Sequence, residues 1–234
     1  MSTGNSLDDE QSLDFSLVLA SSVHDMKNSL TMLLSSLEEV IESTPVQNDV
    51  QSAQFATLQY EASRINSELI QLLSIYNMQQ QRLSLHIDEV YVIDTLEEQL
   101  ARNDMLFKTR NIRVEIHCDD DLAWFYDNDL IGNVIHNILI NAARYTQEKI
   151  RLSASIKDQQ LMIDIADDGQ GFPDAMLSAA SLESVAKNGG DSTQLGLFFA
   201  AKVAGLHQQN ERSGHIHLTN GPPLGGGVFT IYLP

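Results

Sequence analysis

A length of 234 residues accommodates one large folded domain or two smaller ones, and 43% hydrophobic with 20% charged residues speaks against wholesale disorder. Against 14 Lys and Arg stand 32 Asp and Glu, a formal charge of -18, which argues against a nucleic-acid or anionic-membrane surface, where cations must neutralise phosphates. A single cysteine, Cys118, excludes an intramolecular disulfide and fits a reducing compartment.

Residues 1–12 are polar and acidic and read as a loose tail. The apolar run Leu13 to Val23 is interrupted by Asp14, Ser16, Ser21 and Ser22, so no membrane span is expected there. No basic region precedes it, so no signal peptide is expected either. The expectation is a soluble, cytoplasmic protein. From Leu13 to Glu42, apolar residues at Leu19, Val23, Met26, Leu30, Leu33, Leu37 and Val40 alternate spacings of four and three, the seam of a packed helix. Ser43-Thr44-Pro45 breaks the pattern. A second seam follows at Phe55, Leu58, Ala62, Ile65, Leu69, Leu72 and Tyr76. Two such helices joined by a short turn form an antiparallel hairpin. A lone hairpin leaves Leu34, Ile41, Ile70 and Leu73 wet, and pairing two hairpins into a four-helix bundle buries them. A homodimer is therefore predicted.

Gln79-Gln80-Gln81-Arg82 carries the second helix toward a linker, and the texture then changes. The patterning predicts a strand at Val90–Ile93, one helix at Asp94–Phe107 opened by an acidic cap, and strands at Ile112–His117 and Leu122–Tyr126. A helix at Asp129–Tyr145, a hairpin of Ile150–Ile156 with Leu161–Ala166, and a helix at Leu195–Leu206 follow. Strands at His215–Thr219 and Val228–Leu233 close the chain around the Gly- and Pro-rich Gly221–Gly227 turn. The predicted fold class is thus α plus α/β: a helical hairpin forming a dimeric four-helix bundle, then an α/β sandwich. The expected division is a tail over 1–12, a helical domain over 13–82, a linker over 83–87 and the sandwich over 88–234.

Four stretches carry possible chemistry. His24 sits one position past a seam residue, so its ring lies at the edge of the buried stripe, with Lys27 and Asn28 on the same face and Asp25 beside it. An exposed imidazole on a rigid helix next to a carboxylate suits nucleophilic attack on phosphorus, although a lone helix-flank histidine is more often a solvated surface residue. Asn137 and Asn141, four apart on one helix, offer neutral amide oxygens that hold Mg2+ without repelling a triphosphate. Arg144 follows one turn later, facing phosphate charge; two surface amides on an amphipathic helix are the plainer alternative. Asp167 ends a strand that runs into Asp168-Gly169-Gln170-Gly171-Phe172-Pro173, where glycines let backbone approach a flat ligand. The carboxylates are too few for an EF-hand calcium loop. Ser192-Thr193-Gln194-Leu195-Gly196-Leu197 opens a helix, which is either an anion site or an ordinary cap.

His24-Asp25-x-x-Asn28 resembles the phosphoacceptor box of sensor histidine kinases, His-Asp/Glu-x-x-Asn/Thr. Asn137 to Thr146 resembles the N box of their ATP-binding domain, Asp167 to Pro173 the G1 box and Thr193 to Leu197 the G2 box. The closing Gly225-Gly226-Gly227-Val228-Phe229-Thr230-Ile231-Tyr232-Leu233-Pro234 resembles the family's last strand. The resemblance spans Leu13 to Pro234 and extends to the wider gyrase, Hsp90 and MutL ATPase group. It implies that His24 is phosphorylated, with Asp25 as general base or hydrogen-bond partner and Asn28 orienting water in dephosphorylation. It implies that Asn137 and Asn141 hold Mg2+, that Arg144 meets the phosphates, and that Tyr145 walls the adenine pocket of bound ATP. Asp167 would accept from the adenine amino group, Gly169 and Gly171 would act as hinges, and Thr193, Gly196 and Leu197 would flank the phosphates. The partners implied are a response regulator receiver domain, a second copy of the chain and a separate sensor protein.

Two departures stand out: Ser192 and Gln194 occupy positions where the G2 box usually has glycine, and the segment between Pro173 and Ser192 is short, with Lys187 its only cation. They favour an alternative in which the chain is a histidine phosphotransferase or response-regulator phosphatase adaptor with a degenerate ATP-binding domain. An ATPase clamp without phosphohistidine leaves His24 and its hairpin unexplained. His215 and His217 share a strand face without a third metal ligand, and a strand-surface role accounts for them.

Overall fold

The computed structural model describes residues 25–26, 28–33, 35–36, 39–40, 49–80, 82–177 and 192–234. The chain divides into two compact units, one up to Leu83 and one from Ser84.

In the first unit the described residues between 25 and 40 are helical, and α1 (Asp49–Gln79) is one continuous helix. The expected turn at Ser43-Thr44-Pro45 lies outside the described residues. An apolar seam of alternating three and four contains two columns, each repeating every seven residues. On α1 the column of Ala62, Leu69 and Tyr76 is buried or half-buried. The other column, Leu58, Ile65 and Leu72, is 56%, 44% and 47% exposed. The preceding helical residues show the same division: Leu30 is half-buried, while Met26, Leu33 and Val40 are 56%, 54% and 46% exposed. Apart from Met32, 72% exposed, the exposed large apolar residues described in this unit are therefore one column of each seam, not Ile70 and Leu73, the residues expected to be wet. Ile70 and Leu73 are half-buried, and Leu34 and Ile41 lie outside the described residues.

The second unit is built on a sheet of five strands in the order β2-β4-β5-β9-β8. These are β2 (Arg113–His117), β4 (Lys149–Lys157), β5 (Gln160–Asp167), β8 (His215–Asn220) and β9 (Gly227–Leu233). Only β2 and β4 run parallel; β4-β5, β5-β9 and β8-β9 are antiparallel. Alternate residues Ile150, Leu152, Leu161, Ile163, Ile165, Ile216, Leu218, Phe229, Ile231 and Leu233 are buried, the period-two pattern of a sheet covered on one face. The covering helices are α2 (Val92–Arg102), α4 (Asn128–Tyr145) and α5 (Ser192–Leu206). α4 packs against α2, α5 and β5, and α5 against β8 and β9. Two ribbons complete the unit: β1 (Asp88–Tyr91) paired with β3 (Ala123–Tyr126), and β6 (Gln208–Gln209) with β7 (Arg212–Ser213).

The chain departs from its pattern in two places. The expected strand at Val90–Ile93 ends at Tyr91, and Val92 already begins α2. The helix expected over Asp94–Phe107 is divided into α2 and a short α3 (Asp104–Thr109). Asn103 at the division has φ -106 and ψ 7, and its amide donates to the Gln99 carbonyl (2.7 Å) and meets His136 Nδ1 at 3.0 Å. A side chain that satisfies backbone in this way competes with helix continuation.

One carboxylate joins three parts of this unit. Asp127 caps α4, its Oδ1 accepting from the Leu130 N–H (3.0 Å) while Oδ2 accepts from the His86 N–H (2.9 Å). Its own N–H donates to His207 Nε2 (3.1 Å), and His207 Nδ1 donates to the Val203 carbonyl (2.9 Å). Burial holds His207 below the usual histidine range.

His136, 6% exposed, is pushed down from 6.5 to about 3 by burial and by the Arg102 charge. Because the folded value lies below the unfolded one, the neutral ring stabilises the fold above about pH 6.5, and that contribution fades as pH falls toward 3. Between pH 7 and pH 5 the loss from this one group is about 2 kcal/mol. Urea unfolding followed by Trp124, the chain's one tryptophan, is expected to show that loss, and His136→Gln to flatten the pH dependence by the same amount.

Candidate nucleotide site

The turn that leaves β5 meets the end of α4, where Gly169 lies against the Tyr145 carbonyl. Asn137 and Asn141 occupy successive turns of α4. Asn137 is 6% exposed, its amide plane fixed by donation from Nδ2 to the Asn133 carbonyl (2.9 Å), whereas Asn141 is half-buried. Arg144 and Tyr145, in the last turn, are exposed, the guanidinium 5.5 Å from the ring centroid.

Asp167, the last residue of β5, follows Ile163 and Ile165 in the alternation and points to the helix-covered side. Its Oδ1 accepts from the N–H of Gly169 (2.8 Å) and of Gly227 (3.2 Å). Burial pushes its pKa up, the two amides act in the opposite sense, and the Asp168 charge adds to the rise. Glycine surrounds this carboxylate for a steric reason. A Cβ on Gly226 would stand 2.5 Å from Oδ1, and one on Gly227 would stand 3.0 Å from Oδ2 and 3.0 Å from the Phe172 ring. The result is a carboxylate closely surrounded by glycine backbone, with the Phe172 ring beside it.

The turn after Asp167 is fastened to the link between α4 and β4. Asp168 accepts from the N–H of Gln147 (2.9 Å) and Glu148 (3.2 and 3.1 Å). Burial alone would raise its pKa, but the donors from Glu148, Gln147 and Lys149 outweigh it and hold the carboxyl below the usual range. Gly169 lies so close to the Tyr145 carbonyl that a Cβ would collide with it. Gly171 takes φ +79, a conformation in which glycine alone is unstrained. Asn220, at the end of β8, then holds the next residue: its Oδ1 accepts from the Phe172 N–H (2.7 Å) and its Nδ2 donates to the Phe172 carbonyl (2.8 Å).

The other candidates are placed as follows. α5 begins at Ser192, which puts the backbone of Thr193 in its first turn. Gly196 is buried and Leu197 is a core side chain at 2% exposure. Asp25 and Asn28 are helical and exposed; His24 and Lys187 lie outside the described residues. His215 stacks on Tyr232 at 4.6 Å, and among the described residues there is no cluster of His, Cys, Asp or Glu able to hold a metal. The amides of Asn137 and Asn141 are the donors suited to a cation that is already phosphate-bound. Sequence reading missed Asp168 and Asn220. The Asp-Asp-Gly run gave no sign that Asp168 would take up the backbone of Gln147 and Glu148, and Asn220-Gly221 has the composition of any turn.

Residues 126–234 match the family model described as histidine kinase-, DNA gyrase B-, and HSP90-like ATPase. The sensor protein SrrB of Staphylococcus aureus (strain N315) is 22% identical, the match covering 97% of this chain and 38% of that protein; the chain thus spans well under half the length of the curated relatives it matches. Among solved structures, the Acinetobacter baumannii histidine kinase AdeS is similar at TM-score 0.55 and 16% identity, over 90% of this chain and 96% of that one. Full-length ShkA in complex with AMPPNP is similar at TM-score 0.61 and 19% identity, over 92% of this chain and 45% of that one. No helix among the described residues is long and apolar enough to cross a membrane.

Gly169→Ala is expected to force the turn away from the end of α4 and to destabilise the second unit by about 2 kcal/mol, as small-to-large changes against backbone do. A urea midpoint unchanged from wild type would show that the turn and helix are not held together at this point.

Proposed function

We propose that the chain, whose residues 126–234 match the ATPase family model and which is similar to a sensor protein over 97% of its length, is an ATP-dependent protein-histidine kinase. In this reading His24 is the phosphorylated residue, and the phosphoryl group passes on to an aspartate of a response regulator. The observation that carries the proposal is the Asp167 carboxylate at the end of β5. Its Oδ1 is engaged by two amides, no described residue donates a hydrogen bond to its Oδ2, and a carboxylate so placed would accept from the exocyclic amino group of adenine, where guanine presents a carbonyl oxygen.

Asn137 and Asn141 would hold Mg2+, which supplies charge neutralisation at the phosphates; Arg144 adds a cation at the same end of α4, and Tyr145 a wall. Thr193 and the first turn of α5 would face the phosphates through backbone N–H groups. The imidazole of His24 attacks the γ-phosphorus, the bond to the β,γ-bridging oxygen breaks, and ADP leaves, a step governed by positioning and charge. Asp25 would orient or deprotonate the ring, and Asn28, exposed on the same helix, would direct water in the reverse, dephosphorylating sense.

The exposed heptad columns support a homodimer. Met26, Leu33, Val40, Leu58, Ile65 and Leu72 present apolar surface that a second hairpin would cover in a four-helix bundle. The helical unit would serve dimerisation and phosphotransfer and the second unit ATP binding, with a cytoplasmic location and a separate sensor protein as input. The adaptor alternative predicts no nucleotide binding.

Incubation with γ-labelled ATP and Mg2+ is expected to give an acid-labile, base-stable label that His24→Gln abolishes. Absence of label together with absence of AMPPNP binding by calorimetry would favour the adaptor. Sedimentation at micromolar concentration is expected to show a dimer that Ile65→Glu combined with Leu72→Glu converts to monomer; a wild-type monomer would remove the bundle.

A further inference from the structure

Asn220 is exposed, and an asparagine before glycine ordinarily folds its side chain onto its own turn. Here it reaches a residue 48 positions away and makes two hydrogen bonds to one backbone unit, accepting from the Phe172 N–H at 2.7 Å and donating to the Phe172 carbonyl at 2.8 Å. The pairing is that of an antiparallel bridge with a side-chain amide in place of one strand. The turn is shaped to receive it: at Gly171, with φ +79, a Cβ would stand 2.7 Å from the Asn220 amide. Pro173 follows and has no N–H of its own to offer.

Holding the Phe172 backbone sets where its side chain begins. The Phe172 ring and the Asp167 carboxylate flank the same point, since a Cβ on Gly227 would be 3.0 Å from each. We propose that Asn220 is a positioning residue for base recognition, gripping both backbone groups of Phe172 so that its ring stays beside Asp167, against the base that Asp167 would hold. The inference rests on the reading of Asp167 as the base acceptor and adds to it a residue that lies outside the N, G1 and G2 segments.

The effect belongs to the base end of the ligand, away from the phosphorus that reacts. Asn220→Ala in the full chain is expected to weaken Mg2+-AMPPNP binding by about 5- to 30-fold, the range for losing two hydrogen bonds that order a binding element. KM for ATP in the labelling reaction should rise by a similar factor, with kcat at saturating ATP within about twofold of wild type. Asn220→Asp is isosteric and keeps the acceptor for the Phe172 N–H, so its loss should be smaller, about 2- to 5-fold. If Asn220→Ala does not fold, Asn220→Asp decides the matter by itself, an unchanged Kd counting against the proposal. Wild-type affinity in Asn220→Ala, or a fall in kcat without a rise in KM, overturns it. If wild type fails to bind AMPPNP, the nucleotide reading falls first and the role of Asn220 falls with it, whereas wild-type binding with an unaffected Asn220→Ala removes only the latter.

Discussion

A buried carboxylate is tolerable when donors are aimed at it before any ligand arrives, because an ionised oxygen facing apolar surroundings carries a large desolvation cost. Asp167 meets this condition through two backbone amides, those of Gly169 and Gly227. The first comes from the turn that leaves β5 and the second from the start of β9, sixty positions on. Pairing of β5 with β9 brings them together, Ala166 opposite Val228 in the register. The central strand pair and the setting of this carboxylate are thus one construction. The glycines around it follow from space, since amides can approach only where no Cβ intervenes. Asp168 then fastens the same turn to the Gln147-Glu148 link that joins α4 to β4, so the turn after Asp167 and the end of the asparagine-bearing helix are held together.

The charge of the chain makes that local construction necessary. With a formal charge of -18, the protein repels a polyphosphate at long range, and at physiological salt the repulsion fades beyond about 8 Å. Binding therefore has to come from groups at short range. Neutral amides at Asn137 and Asn141, the Arg144 guanidinium and N–H groups at the start of α5 are of the right kind, since none adds negative charge. Asp167 is the exception, and on the proposed reading it would meet the neutral ring rather than the phosphates.

Much of this architecture was legible in the chain. The α4 helix, the β4-β5 hairpin and the closing strands show the periodicities their burial requires, and Asn137 and Asn141 fall on α4 and Asp167 at the end of β5, as the pattern placed them. What escaped reading depends on contacts between distant segments. Asn103 divides a helical pattern because its amide engages His136, 33 positions away. Asn220 resembles any turn residue until Phe172 is beside it. His136 and His207 carry no motif, yet both are buried and hydrogen-bonded. On the helical unit the seam was visible but its two columns were not distinguished, because one helix sequence does not state which column its neighbour covers.

The Asp127 junction has a mechanical consequence. One side chain holds the chain entering at His86 and the first turn of α4, while its own N–H is taken by the histidine that ends α5. Detaching the entering strand would leave a desolvated oxygen in the middle of that knot, so a pull at His86 is carried into the helix rather than absorbed by slack. The knot sits at the opposite end of α4 from Asn141. The rod between them is stiff, and torque applied at the root is felt at the tip.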